Sequence, residues 1–202
     1  FLPLPDTTRA TIRIEATLQN HREIFLLGTL EGSYGHIPFN LEVGLEPGEI
    51  RTVSTEISLE NPRLWWPKGY GAPNLYPVDM TFNIGGTVSD SLSFLSGVRQ
   101  VDFDENNGIL SLYINGRRFI GRGGNWGFSE SNLNYRAREY DIAVAYHADM
   151  NFTMIRNWVG QTGDDEFYEA CDRHGIMVWQ DFWLANPWDG PDPVSTRMFM
   201  QN

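Results

Sequence analysis

One cysteine is all the chain has, Cys171, so no internal disulfide can form and the fold must hold by burial and hydrogen bonding. That residue reads as a small apolar side chain on a helix face, and it leaves the redox compartment open. Also missing is any apolar run near the roughly 20 residues that a membrane span needs. The opening Phe1-Leu2-Pro3-Leu4-Pro5 has neither the basic start nor the small-residue cleavage site of a signal peptide, so no membrane partner is expected. Basic side chains are few: 15 Lys and Arg against 26 Asp and Glu leave a net charge of -11. Phosphate contacts need a basic surface, which argues against a nucleic-acid or anionic-membrane partner and suits a neutral or cationic ligand. Repeats, low-complexity tracts and charge runs are absent as well. The chain opens on Phe1 instead of Met, as expected of a segment of something longer.

What is present is a globular composition. With 41% apolar residues in 202, the chain can bury a sizeable core as one large or two ordinary domains. From Leu4 to about Ser96 the pattern is one of short alternating runs: Ala10 to Leu18, Ile24 to Leu30, Thr52 to Leu59, Tyr76 to Ile84 and Val88 to Val98. Turn residues stand between them at Glu31-Gly32-Ser33, Glu46-Pro47-Gly48-Glu49 and Gly85-Gly86. Residues 1–100 therefore read as an antiparallel β-sandwich of immunoglobulin-like size, without the paired cysteines of antibody domains. Asn61-Pro62-Arg63-Leu64-Trp65-Trp66-Pro67 breaks the alternation. Its prolines exclude a central strand, and the tryptophans suit either a sugar platform or, favoured here, an apolar plug against a neighbouring domain.

Residues 101–202 read differently. Asp102 to Gly108 is a polar junction, and Gly108 and Tyr113 fall in the wrong places for a calcium loop. Asn115-Gly116 between Ser111–Ile114 and Arg117–Ile120 is the strongest hairpin signal in the chain. Then come three β-branched or aromatic runs, Phe119 to Trp126, Phe152 to Trp158 and Ile176 to Trp183, separated by amphipathic helical patterns. Gly121, Gly123 and Gly124 lack the spacing of a dinucleotide fingerprint and predict close backbone approach at a strand end. The first helix is expected after Asn134 as N-cap, with Ala137, Tyr140, Val144 and Ala148 on one face. Asp164-Asp165-Glu166 should open the second helix and His174-Gly175 close it, with Phe167 and Cys171 inward. The sequon Asn151-Phe152-Thr153 opens a buried strand and is discounted.

A β-α-β-α-β series implies a parallel sheet, and in closed barrels of this kind the chemistry sits at the carboxyl ends of the strands. Those ends are Asn125-Trp126, Arg156-Asn157-Trp158 and Gln180-Asp181-Phe182-Trp183, with Glu130 just beyond the first. Two readings stand. Arg156 and Asp181 could simply pair with each other; or they and Asn125 hydrogen-bond sugar hydroxyls while Trp126, Trp158 or Trp183 offers an apolar face to the ring. Nothing in the pattern calls for a metal or a cofactor.

Several motifs, in order, carry a resemblance. Trp65-Trp66-Pro67-Lys68-Gly69-Tyr70-Gly71 with Asn74-Leu75-Tyr76, then Gly97-Val98-Arg99, Asn115-Gly116 and Gly123-Gly124-Asn125-Trp126-Gly127 resemble glycoside hydrolase family 2. His147 to Phe152 with Met154-Ile155-Arg156, and Val178 to Trp183, resemble its β-mannosidase branch, that of mannosylglycoprotein endo-β-mannosidases and exo-β-D-glucosaminidases. The resemblance implies an immunoglobulin-like β-sandwich followed by the first three β-strands of a (β/α)8 TIM barrel, and a carbohydrate substrate. It also implies retaining hydrolysis by two glutamates about 5 Å apart, the acid/base following an asparagine at the fourth strand and the nucleophile coming later. This chain has no Asn-Glu pair, so neither catalytic glutamate is carried over and the chain alone is expected to be inactive. The substrate-binding residues implied are Asn125, Trp126, Glu130, Arg156, Trp158 and Asp181. A secreted or periplasmic parent enzyme is compatible with the sequence. A barrel cut after three strands should self-associate or leave part of 110–202 poorly ordered, because Met154, Trp158, Met177 and Trp179 would face water. The alternative is a non-catalytic carbohydrate-binding or interaction module built on the sandwich.

Overall fold

The structure, a computed structural model, describes residues 1–106, 108–127, 135–182 and 193–201. It is mostly β-sheet with few helices. The chain divides into two compact units: Phe1–Trp66 with Tyr70–Ile120, and Pro67–Gly69 with Gly121–Asn202.

In the first unit, β1 (Arg9–Gln19) pairs antiparallel with β4 (Ile50–Glu60), and β2 (Leu26–Tyr34), β3 (Ile37–Leu45), β5 (Tyr76–Ile84) and β6 (Thr87–Ser96) form a sheet in the order β3-β2-β5-β6. The register explains why alternation sufficed to find β1 and β4. Ala10 faces Leu59, Ile12 faces Ile57 and Ala16 faces Val53, so period two puts their apolar side chains on one face. Ile14, Leu30, Phe39, Val43 and Phe82 meet in one cluster, and Ala10, Tyr34, Leu59, Leu64 and Val78 in another. Each such side chain contributes about 1.5 to 3 kcal/mol on burial against roughly 1 for a net hydrogen bond, so packing outweighs the ladder.

Strand β3 was not among the sequence runs. Pro38 and Gly44 disguise it, and Pro38 is tolerated because β3 is an edge strand paired only with β2. Trp65 is fully buried, capped by the Arg99 guanidinium 4.4 Å from its ring centre. A ring so buried offers no platform to solvent, while Leu64 before it lies in the second cluster and Trp66 after it packs against that cluster.

The Asn115-Gly116 hairpin is present. It joins β8 (Ile109–Ile114) to β9 (Arg117–Phe119), and both turn residues have positive φ, 50° and 77°, as a two-residue turn of this twist requires. With β7 (Val101–Asn106) these strands make a sheet that groups with the first unit. The unit therefore runs to Ile120, about twenty residues past the expected boundary at 100. Hydrogen bonds explain the extension: Asn115 exchanges two with the Gln100 backbone and donates to the Trp65 carbonyl at 3.0 Å.

The second unit holds β10 (Gly123–Trp126), β11 (Met154–Asn157) and β12 (Met177–Gln180), all parallel in that order. Helix α1 (Ala137–Asp149) follows β10 and buries Tyr140, Val144 and Ala148; its N-cap is Arg136, whose N–H donates to Glu139, and not the expected Asn134, which itself lies outside the described residues. Helix α2 (Asp165–His174) follows β11, buries Phe167, Ala170 and Cys171, and ends on Gly175 in the left-handed region. A short helix, α3 (Thr196–Gln201), lies beyond β12. Gly123 is needed for the sheet to form, since a Cβ there would lie 1.7 Å from the Met154 carbonyl oxygen.

Candidate functional site

Register sorts the strand residues into two faces. Trp126, Ile155, Asn157 and Val178 point to the side that α1 and α2 cover, where Trp126, Ile155 and Asn157 are buried. On the other face Asn125, Arg156 and Trp179 are in register across all three strands, one residue from each. This row, with Gly123 and Met154, lines a cavity of about 280 Å³. An amide, a guanidinium and an indole 44% exposed are thereby gathered on one wall.

Arg156 and Asp181 pair. Arg156 Nε donates to Asp181 Oδ1 at 3.1 Å and Oδ2 at 2.9 Å, while a terminal guanidinium nitrogen lies 2.7 Å from Oδ2. The Val159 backbone N–H adds a hydrogen bond to Oδ2 at 3.2 Å. Hydrogen bonding from Arg156 holds the Asp181 carboxyl below the usual carboxylate range, against the opposing effect of burial and with smaller help from the Val159 N–H. An ionised carboxylate so engaged cannot serve as a proton donor near neutrality. The side chains are 47% exposed for Arg156 and 16% for Asp181, so the guanidinium is the group presented outward and the carboxylate its backing.

Placement separates the expected site residues. Asn125 and Arg156 share the open face, with Asp181 behind the arginine. Trp158 is 41% exposed and opens the turn after β11. Trp126 needs a correction. Instead of facing a ligand beside Asn125, it is 4% exposed, packs 4.9 Å from the Phe167 ring and donates from Nε1 to Thr162 Oγ1 at 3.0 Å. Consecutive strand residues point to opposite faces, so Asn125 and Trp126 cannot share one. Glu130 and Trp183 lie outside the described residues. Trp179, expected only as part of an exposed apolar set, is the indole that lines the cavity. Its register with Arg156, two residues before Asp181, is the signal that could have found it.

A polar network lies beneath the row. Asn157, buried, donates from Nδ2 to the Thr162 carbonyl at 2.7 Å and to Gln180 Oε1 at 2.9 Å, and its Oδ1 accepts from the Thr162 N–H at 3.2 Å. The Tyr168 hydroxyl lies 3.0 Å from the Thr162 carbonyl and 2.8 Å from Gln180 Oε1, and its single proton serves one of them. Above it Val159 has φ 50°, which costs a β-branched residue about 1 to 3 kcal/mol. Cys171 is buried and its thiol is pushed up to about 12 by desolvation, which makes it a poor nucleophile. Among the described residues no group of three or more His, Cys, Asp or Glu is placed to hold a metal ion, and no helix is long and apolar enough to cross a membrane.

Comparison with known proteins places this arrangement. The family model of Glycosyl hydrolases family 2 matches residues 3–99. The chain is 37% identical over 180 residues to a mannosylglycoprotein endo-beta-mannosidase of Lilium longiflorum, covering 85% of this chain and 19% of that protein. It is 30% identical over 196 residues to an exo-beta-D-glucosaminidase of Streptomyces avermitilis, covering 94% and 22%. The crystal structure of an Amycolatopsis orientalis exo-chitosanase superposes with a TM-score of 0.81 at 25% identity, covering 91% of this chain and 22% of that one. Residues 3–99 match glycosyl hydrolase family 2, and the curated proteins similar to the chain include β-mannosidases and exo-β-D-glucosaminidases. It spans about a fifth of the length of the relatives it matches.

Proposed function

We propose that this chain is the immunoglobulin-like sandwich and the first three strands of the (β/α)8 barrel of a retaining β-glycosidase that acts on β-mannosides or related β-linked amino sugars. The row Asn125, Arg156 and Trp179 at the carboxyl ends of three parallel strands carries this reading, because barrel chemistry is built at those ends. An amide and a guanidinium donate to hydroxyl oxygens, and an indole face packs on the apolar face of a sugar ring. Asp181 keeps Arg156 in one orientation. Trp158, half-exposed at the start of the turn after β11, and Glu130, which follows β10 in the sequence, are the further contacts in this reading; Trp126 supports the row from behind.

The two glutamates of retaining hydrolysis, which sit about 5 Å apart in such enzymes, belong to later strands in this reading. The chain by itself then binds sugar weakly and turns nothing over, since nucleophile and leaving-group acid are both missing. Its uncovered indoles, Trp158 and Trp179, favour self-association, which light scattering detects. The test is incubation of the purified chain with aryl β-mannosides and chitosan oligosaccharides, with the same sugars titrated by NMR. Expected are no hydrolysis and sugar-dependent shifts of the Asn125 amide and Trp179 indole signals. Turnover that follows the chain through purification, or shifts confined to the first unit, would overturn the reading.

A further inference from the structure

We propose that Thr162 is a positioning residue: tied down by Trp126 and Asn157, it fixes the turn between β11 and α2 so that the Val159 N–H holds Asp181 against Arg156. The inference rests on Arg156 being the group that meets the substrate. It gives Trp126, which faces away from any ligand, a role in the site.

The turn itself is the first observation. Val159 and Gly160 both have positive φ, 50° and 61°. Glycine accepts that region freely, but a β-branched residue stays there only where its surroundings over-determine the backbone. The surroundings do so at Thr162. Three side chains from three elements converge on it: Trp126 of β10 on its hydroxyl, Asn157 of β11 on both its backbone groups, and Tyr168 of α2 beside its carbonyl. Thr162 is 1% exposed and Asn157 fully buried, so water cannot replace these partners. Asn157 acts as a neighbouring strand would, donating to the carbonyl and accepting from the N–H of one residue; only a carboxamide carries both functions at that length.

The other end of the turn meets the site. Val159 N–H points to Asp181 Oδ2, the oxygen that also takes the 2.7 Å contact from the Arg156 guanidinium. A path thus runs from Trp126 and Asn157 on the helix-covered face by hydrogen bonds to Thr162, back along the backbone of Gln161 and Gly160 to Val159, and from its N–H to Asp181 and Arg156. Relaxing Val159 to negative φ rotates the peptide planes on either side of it and takes the N–H off the carboxylate. Asp181 then keeps Arg156 as partner but loses the contact that fixes which way the pair faces.

Thr162→Val removes the hydroxyl acceptor with little change of shape, and Thr162→Ser restores it. In the 202-residue chain the readouts are the pH titration of the Asp181 carboxyl carbon, the Arg156 Nε–H signal and the melting temperature. Thr162→Val should raise the Asp181 midpoint toward its ordinary value near 3.8 and broaden the Arg156 signal, while Thr162→Ser keeps both as in the parent chain. Should Thr162→Val fail to fold, Trp126→Phe removes the same hydrogen bond from its donor side and keeps a ring in the core; the same two changes are expected. A lower melting temperature with Asp181 and Arg156 signals unmoved, in whichever of the two variants folds, would show that Thr162 only holds the fold and would overturn the proposal. Moved signals in a chain that binds no β-mannoside would support the positioning and refute the sugar reading alone.

Discussion

The two units finish their sheets differently. In the first, the inward side chains of β1 to β5 close on one another, and alternation leaves outward positions such as Arg13, Glu15, Asn40, Glu42 and Asp79 polar. In the second, α1 and α2 cover one face of the parallel sheet, while the face carrying Asn125, Arg156 and Trp179 has no covering layer among the described residues. Parallel sheets usually have both faces covered. The first unit spends its alternation on a core, whereas the parallel sheet divides its alternation between a core on one side and an open row of polar and aromatic groups on the other.

If the units are separate cooperative bodies, the largest effect should come from Phe167→Ala. Phe167 is fully buried under the parallel sheet, so its loss should cost about 3 to 5 kcal/mol. Hydrogen exchange should then show Val144 and Ile155 losing protection while Leu30 and Val43 keep theirs. Loss in both sets would merge the two units into one.

Next in size is Asn115→Ala, which removes the two side-chain hydrogen bonds, the one accepted from the Gln100 N–H and the one donated to the Trp65 carbonyl, and puts alanine at a positive φ. Urea unfolding of the first unit should show a loss of about 1 to 3 kcal/mol. A chain ended after residue 120 should match the first unit of the parent chain, and one ended after 100 should be weaker by a similar amount. Equal stability of the two would return the boundary to 100.

Arg156→Lys sharpens the contrast between core and site. A point charge cannot reproduce the fork that grips Asp181, so sugar affinity should fall roughly tenfold or more. Stability should change by less than about 1 kcal/mol because the arginine is half exposed. Thermal melting beside sugar titration separates these outcomes. Parallel losses would make the pair a structural one.

The smallest effect is in acid. The folded Asp181 carboxyl lies below its unfolded value, so its contribution is complete above the unfolded pKa, about 3.9, and is lost as pH falls through the folded one. Asp141 behaves likewise, held down first by its hydrogen bond to His174 and further by Arg173. Melting of the second unit should therefore decline below about pH 4, and Asp181→Asn should flatten part of that slope. An unchanged slope would mean that the carboxylate gains nothing from Arg156 in the folded chain.

Much of this was written in the sequence. Period two marked four strands of the first unit well, Asn115-Gly116 specified its hairpin, helical spacing placed Tyr140, Val144, Phe167 and Cys171 inward, and Gly123 marked the close approach of β10 and β11. These are local properties, fixed by dihedral preferences and by side-chain direction along one element. Tertiary structure alone decided the rest. Period two puts Asn125 and Trp126 on opposite faces but does not say which face the helices will cover; their packing over Ile155 and Asn157 buried Trp126 and left Trp179 in the open row. An edge position licensed Pro38 within β3, and Val159 stands at a positive φ that its own backbone preference would not choose. Each of these outcomes depends on groups distant in the chain meeting in space, which no local pattern encodes.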